Sequence, residues 1–126
     1  MVLGDFEGTI NPDYPLSGYP LFNAPQSVTA VISDAGYDVM DLAHNHILDS
    51  GLEGAFTTAD AFKEVGIDPV GVYENPVRDK APLFIKNVNG IKVAILSYAY
   101  GFNGLESNLT EKEIANHLSN LDEKRM

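Results

Sequence analysis

Tyr37-Asp38-Val39-Met40-Asp41-Leu42-Ala43-His44-Asn45-His46-Ile47-Leu48-Asp49-Ser50-Gly51 is the stretch on which the reading of the fold turns. Residues 37–42 are apolar enough for a short buried strand. They run directly into His-Asn-His, then Asp, then Gly. Ser50, with Glu53 three positions later, has the form of a capping box. Leu52, Ala55, Phe56, Ala59, Phe62 and Val65 then recur at helical spacing. Strand, polar loop and helix in that order form the first half of a parallel βαβ unit, and open α/β sheets place their chemistry at the carboxyl ends of such strands.

The same grammar extends outward on both sides. Val2-Leu3 reads as the end of a strand, Gly4-Asp5-Phe6-Glu7-Gly8 as the turn that follows, and a Pro/Gly/Tyr-rich loop continues through Pro20. A helix is expected from near Pro25, capped by Asn23 with Gln26 completing a capping box. Val28, Val31, Ile32 and Ala35 would form its apolar face, and Gly36 would stop it. Gly66 ends the second helix, and residues 67–70 form another short strand. Strands and helices therefore alternate to about residue 72, the pattern of an α/β fold with parallel strands. The pattern then changes. Leu83 to Val88 and Ile91 to Tyr98 flank Asn89-Gly90, the strongest short-range signal for a hairpin. Lys86 and Lys92 are expected on its solvent side. Thr110 and Glu113 form a further capping box, opening a helix with Ile114, Leu118 and Leu121 along one side. There is no internal repeat and no low-complexity tract. Both ends read as cut, so residues 1–126 are expected to be one partial domain.

Composition excludes several functions. The formal net charge of −10 argues against nucleic acid, whose backbone demands clustered Lys and Arg. The absence of cysteine removes disulfides, thiolate metal sites and a Cys nucleophile. No apolar run approaches the ~20 residues of a membrane span, and no signal-peptide pattern opens the chain.

Three constellations carry candidate chemistry. In the first, two of the chain's three histidines, His44 and His46, flank Asn45, with Asp49 close behind. Imidazole, carboxylate and amide oxygen suit Zn, Mn or Fe, and a histidine there can protonate a leaving oxygen. The competing reading makes them ordinary loop residues, with Asp49 extending the helix cap. The second is Asp5 and Glu7, a pair of carboxylates at a strand end, set against the plain alternative of an acidic turn. The third is Ser97-Tyr98-Ala99-Tyr100-Gly101-Phe102-Asn103-Gly104, either the lining of a substrate cleft or a packed aromatic loop. His117 reads as a surface histidine.

At these residues the chain resembles the CapA family of bacterial capsule or poly-γ-glutamate biosynthesis proteins. The likeness rests on Asp5-Phe6-Glu7-Gly8, on Phe22-Asn23-Ala24-Pro25, and above all on Gly36 to Gly51, where the family reads Asn-Asn-His and this chain has His44 in place of the first Asn. Gly51 to Thr58, Gly66 to Gly71 and the Asn-Gly-Ile-Lys-Val-Ala hairpin continue it. The resemblance implies part of a calcineurin-like metallophosphoesterase fold, an α-β-β-α sandwich. It implies a divalent metal (Mn, Zn or Fe) with Asp5, Glu7 and Asn45 as ligands, His46 as the catalytic residue, and His44 and Asp49 in support. Asp5 departs from the family's usual Asn, and the family's flanking motifs are not in this chain. The implied function is capsule or poly-γ-glutamate biosynthesis, with hydrolysis of phosphoester or amide bonds as the mechanism. The alternative is a non-catalytic scaffold or polymer-binding component of a synthesis or export complex. The implied partners are the capsule polymer, subunits of the complex, and a second copy paired through open sheet edges. The implied location is extracytoplasmic and membrane-associated.

Overall fold

The computed structural model describes residues 1–73 and 83–108. Three short strands, β1 (Leu3–Asp5), β2 (Val39–Asp41) and β3 (Asp68–Val70), form a parallel sheet in the order β1-β2-β3. The helices α1 (Val28–Asp34) and α2 (Gly51–Glu64) make the two crossovers. β4 (Phe84–Val88) and β5 (Ile91–Ile95) form a separate antiparallel hairpin, and a 3₁₀ turn follows at Leu105–Asn108. The architecture is thus mixed α/β: parallel βαβ units first, then a hairpin. The helix expected from Thr110, and His117 with it, lies outside the described residues.

β2 is the central strand, and Val39 and Met40 are buried although they point to opposite faces, as a strand covered on both sides requires. Leu42, Ile47, Leu48, Ile67 and Phe62 close the core around it. α2 packs through Ala55, Ala59 and Phe62, one helical stripe in which two small residues let the helix lie close. The Phe62 ring meets Phe6 edge-on with centroids 5.1 Å apart, which ties α2 to the segment following β1. Pro69 lies in β3, which has only β2 as a neighbour among the described residues, so the missing N–H is tolerated.

The hairpin forms as its turn chemistry dictates. Asn89 and Gly90 both have positive φ (52° and 87°), the type I′ geometry that matches strand twist. Gly90 donates its N–H to Asn87 Oδ1 at 2.8 Å. Gly71, after β3, is required more strictly. Its φ is +94°, and an added Cβ would stand 2.5 Å from Ser97 Oγ and 2.8 Å from the Ala43 backbone nitrogen.

Five local expectations are corrected. α1 begins at Val28, not near Pro25, with Ser27 at the N-cap and no side-chain cap. Asn23 does not cap it, because its side chain is spent in the preceding loop, accepting from Asn11 N–H and donating to the Asn11 and Tyr14 carbonyls. Gln26 instead donates to Glu64 at 2.7 Å. The covered face of α1 is Val28, Thr29, Ile32 and Ser33, while Val31 is exposed, because a seven-residue helix buries only the side turned to the sheet. Ser50 is the N-cap of α2 by position but makes no side-chain cap bond, since its hydroxyl donates to Thr9 Oγ1 at 2.7 Å. Lys86 is on the half-covered face of the hairpin with Phe84 and Val88, where it pairs with Asp68 at 2.8 Å; Lys92 is exposed as expected.

A polar clamp joins the loop after β1 to α2. Ile10 donates its buried N–H to Thr58 Oγ1 at 2.7 Å, Thr57 Oγ1 donates to the Ile10 carbonyl at 2.7 Å, and Thr58 donates onward to the Gly54 carbonyl at 2.6 Å. Thr58→Val keeps the shape and removes the acceptor. It should cost about 1–3 kcal/mol, because the Ile10 N–H is left buried and unpaired. Urea denaturation measures this; a loss below about 0.5 kcal/mol, the range of ordinary surface changes, would mean the clamp carries no weight.

Candidate functional site

The carboxyl ends of β1 and β2 bring the expected residues together. Asp5 and Asp41 are register partners at those ends. Glu7 follows Asp5, and His44, Asn45 and His46 follow Asp41 in a tight turn closed by the Ile47 N–H to His44 carbonyl bond (3.3 Å) and the Asp49 N–H to His46 carbonyl bond (3.0 Å). Asp41 Oδ1 braces the start of that turn, accepting the Ala43 N–H at 2.9 Å and the Ser97 hydroxyl.

The two histidines have different environments. His46 Nδ1 lies 2.8 Å from Asp49 Oδ2, and the Asp49 side chain is only 1% exposed. The same Oδ2 accepts the Phe22 N–H at 2.6 Å, and the Phe22 ring stands edge-on to the His46 ring at 4.6 Å. A carboxylate can only accept, so Nδ1 carries the proton and the ring is fixed as that tautomer. Nε2 is left to face Glu7, whose Oε1 is 4.0 Å away. That gap is too long for a direct hydrogen bond and suits a bridging water or a reacting group. Asp49 Oδ1 is buried without a hydrogen-bond partner among the described residues.

His44 is a clamp. Its Nδ1 accepts the His46 backbone N–H at 3.1 Å, and the ring also hydrogen-bonds the Phe6 backbone. With Nδ1 accepting, the neutral ring holds its proton on Nε2, so that atom cannot accept the Gly8 N–H 3.4 Å away, and the approach is a packing contact. Burial lowers the His44 pKa below 6.5; the Asp5 and Glu7 carboxylates oppose this in part, and His46 adds to it. Burial raises the Asp5 pKa above 3.8, with His44 opposing and the Asp41 and Glu7 charges reinforcing the shift. Crowded carboxylates and a neutral imidazole thus share one strand-end surface.

Asn45 is exposed at the mouth of a cleft of about 430 Å³ lined by Ala43, Asn45, Tyr98, Tyr100, Asn103 and Glu106, among others. The aromatic loop after β5 is therefore a cleft wall, and its Phe102 is also buried in the core. Sequence reasoning gave no individual role to Phe22, Asp41 or Asn103. Asp41 alone carried a signal, as the last residue of the strand. Among the described residues no three His, Cys, Asp or Glu side chains converge as a metal cage. Asp5, Glu7 and Asn45 offer oxygen donors of the type a hard divalent cation takes, but not a closed set.

Because folded His44 resists protonation, the unfolded chain takes up a proton first as pH falls below about 6.5. Stability should drop from there towards the lower folded pKa and then level off. His44→Asn should remove that part of the slope. Chemical denaturation between pH 7.5 and 5, with chelator present, measures it; equal slopes in the two proteins would show that His44 is not the group responsible.

No solved structure matches the chain. It is 38% identical over 80 residues to the capsule biosynthesis protein CapA of Bacillus anthracis, a match covering 64% of this chain and 19% of that protein. It is 37% identical over 67 residues to two uncharacterized Sinorhizobium fredii proteins, y4sH and y4uA, covering 53% of this chain and 14% of each. The matched region thus spans less than a fifth of the length of these relatives. The family described as bacterial capsule synthesis protein PGA_cap matches residues 1–125, and this chain belongs to that family.

Proposed function

We propose that this chain carries the acid–base half of a hydrolytic site in a capsule biosynthesis protein of the CapA kind, acting on a phosphoester or amide bond. One observation carries the reading: His46 is fixed by Asp49 at 2.8 Å, with Nε2 turned to Glu7 at 4.0 Å. A carboxylate that orients an imidazole and leaves its far nitrogen available is the arrangement that general acid–base chemistry needs. In hydrolysis, the oxygen of water bonds to phosphorus or carbonyl carbon, the bond to the leaving oxygen or nitrogen breaks, and that atom gains a proton. His46 Nε2, unprotonated in the neutral ring, is the group placed to take the proton that water releases and pass it to that leaving atom. Asp49 holds the ring in that orientation. Asp5, Glu7 and Asn45 would hold a divalent cation (Mn, Zn or Fe), which would polarise the scissile group when bound. The parallel βαβ units and the following hairpin are compatible with part of a metallophosphoesterase-type α-β-β-α sandwich.

The same reading brings its setting. The polymer would be poly-γ-glutamate or another capsule chain, handled with other subunits of a synthesis complex, and a second copy could pair along the outer edge of β1. The protein would work outside the cytoplasm at the membrane. Among the described residues no helix is long and apolar enough to cross a membrane, so attachment would lie elsewhere. A scaffold or polymer-binding role is the second reading, favoured by the open donor set that Asp5, Glu7 and Asn45 make among the described residues.

In the protein carrying this chain, His46→Ala should lower metal-dependent hydrolysis of a p-nitrophenyl phosphoester or a γ-glutamyl anilide by about 10²-fold or more. Asp49→Asn should lower it about 10–100-fold. Absence of hydrolysis with Mn²⁺, Zn²⁺ and Fe²⁺ alike would sink the catalytic reading and leave the scaffold.

A further inference from the structure

We propose that Asn103 is a positioning residue that sets the orientation of the Asn45 amide at the mouth of the cleft. The proposal rests on the reading above only in giving Asn45 a part in the site. Asn103 lies on a segment distant in sequence, and its Oδ1 accepts a hydrogen bond from Asn45 Nδ2 at 3.0 Å. An amide is planar, with nitrogen and oxygen on opposite sides, so holding Nδ2 also decides where Asn45 Oδ1 points. Without Asn103 the two ends of this exposed side chain would exchange places at little cost. With it, the carbonyl end is the one left to meet a ligand.

Asn103 is held in place for this. Its φ is +56°, in the left-handed region that Asn tolerates better than most residues, and Gly104 follows at +82°. The Glu106 carboxylate accepts the backbone N–H of Phe102 and also hydrogen-bonds the Gly104 backbone, one residue on each side of Asn103. Phe102 is buried in the core, and Leu105 N–H closes the turn onto its carbonyl at 3.0 Å. The Asn103 side chain thus projects from a clipped turn. Its Nδ2 also lies 3.5 Å from His46 Nδ1, but that nitrogen donates to Asp49 and cannot accept, so this is a packing contact. Asn103 and Asn45 line the same cleft. A ligand entering there meets a carbonyl oxygen whose direction is set by Asn103.

The test is solvent exchange of the Asn45 carboxamide protons by NMR on the full chain, the resonances being identified by their loss in Asn45→Ala. In the wild-type protein they should exchange about tenfold more slowly than an unstructured amide, the order expected for a single hydrogen bond. Asn103→Gly keeps the left-handed backbone and should remove the protection. Asn103→Asp keeps the acceptor oxygen and should retain it. Unprotected amide protons in the wild-type protein, or protection that survives in a folded Asn103→Gly, would overturn the proposal. The readout needs no turnover, so failure of the hydrolytic reading leaves it standing.

Discussion

The site depends on a clamp that contains no candidate catalytic residue. Thr9, Ile10 and Asn11 follow the turn that carries Glu7, and every one of them is buried. Their polar groups are met by Ser50, Thr57 and Thr58 on and before α2, and by Asn23. Buried backbone groups that lack partners cost more than they return when paired, so this loop has few alternatives to the position it takes. That position puts Gly8 beside His44 and Glu7 beside His46. The parallel sheet supplies three strands of three residues each, too few to fix two strand-end loops by ladder bonds alone. The clamp supplies the remaining constraint, and α2 becomes the common reference for both loops.

Within that frame, two histidines separated by one residue divide their functions by environment. His44 accepts the His46 N–H at Nδ1, hydrogen-bonds the Phe6 backbone and is kept neutral by burial, which makes it a brace between the two loops. His46 is equally buried as a residue, but one nitrogen is taken by a carboxylate and the other, among the described residues, by no direct hydrogen bond. A brace wants every polar atom satisfied, whereas a group that moves protons needs one nitrogen kept open. On the proposed reading the same side chain serves opposite ends, and only the neighbours distinguish them.

Local chemistry was legible in the sequence; tertiary competition was not. Asn89-Gly90 specifies a hairpin by itself, and the Ala55, Ala59, Phe62 stripe specifies a buried helix face. Both form, although the second hairpin strand ends at Ile95 and not at Tyr98, and Leu52, Phe56 and Val65 of the expected stripe are only partly buried. The strand-end placement of Asp5, Glu7, His44, Asn45 and His46 was also legible, because a strand-to-helix junction admits few geometries. Asn23 and Ser50 misled for one shared reason. Each has the side chain of a helix cap, and each spends it on a distant partner that propensity cannot see. Lys86 misled because alternation gives the two faces of a strand but not which one a neighbour covers. Phe22 contributes a backbone N–H and a ring edge, neither of which marks a residue type.

The electrostatics of the strand ends bear on what such a surface can hold. Asp5 and Asp41 stand side by side in register, and Glu7 adds a third carboxyl. Raised proton affinity at Asp5 is the expected response of crowded carboxyls that burial deprives of water. A cation placed there would relieve the same crowding, which a neutral ligand could not. The cleft wall adds Glu106, whose carboxyl is held below its usual range by the Phe102 N–H first of all. An anionic polymer such as polyglutamate would meet like charge on both sides of Asn45 unless a metal ion or a basic segment stood between. An unaided encounter of this surface with a polyanion is therefore unfavourable. On the proposed reading, a role on such a polymer would need a cation or a basic segment to offset that charge.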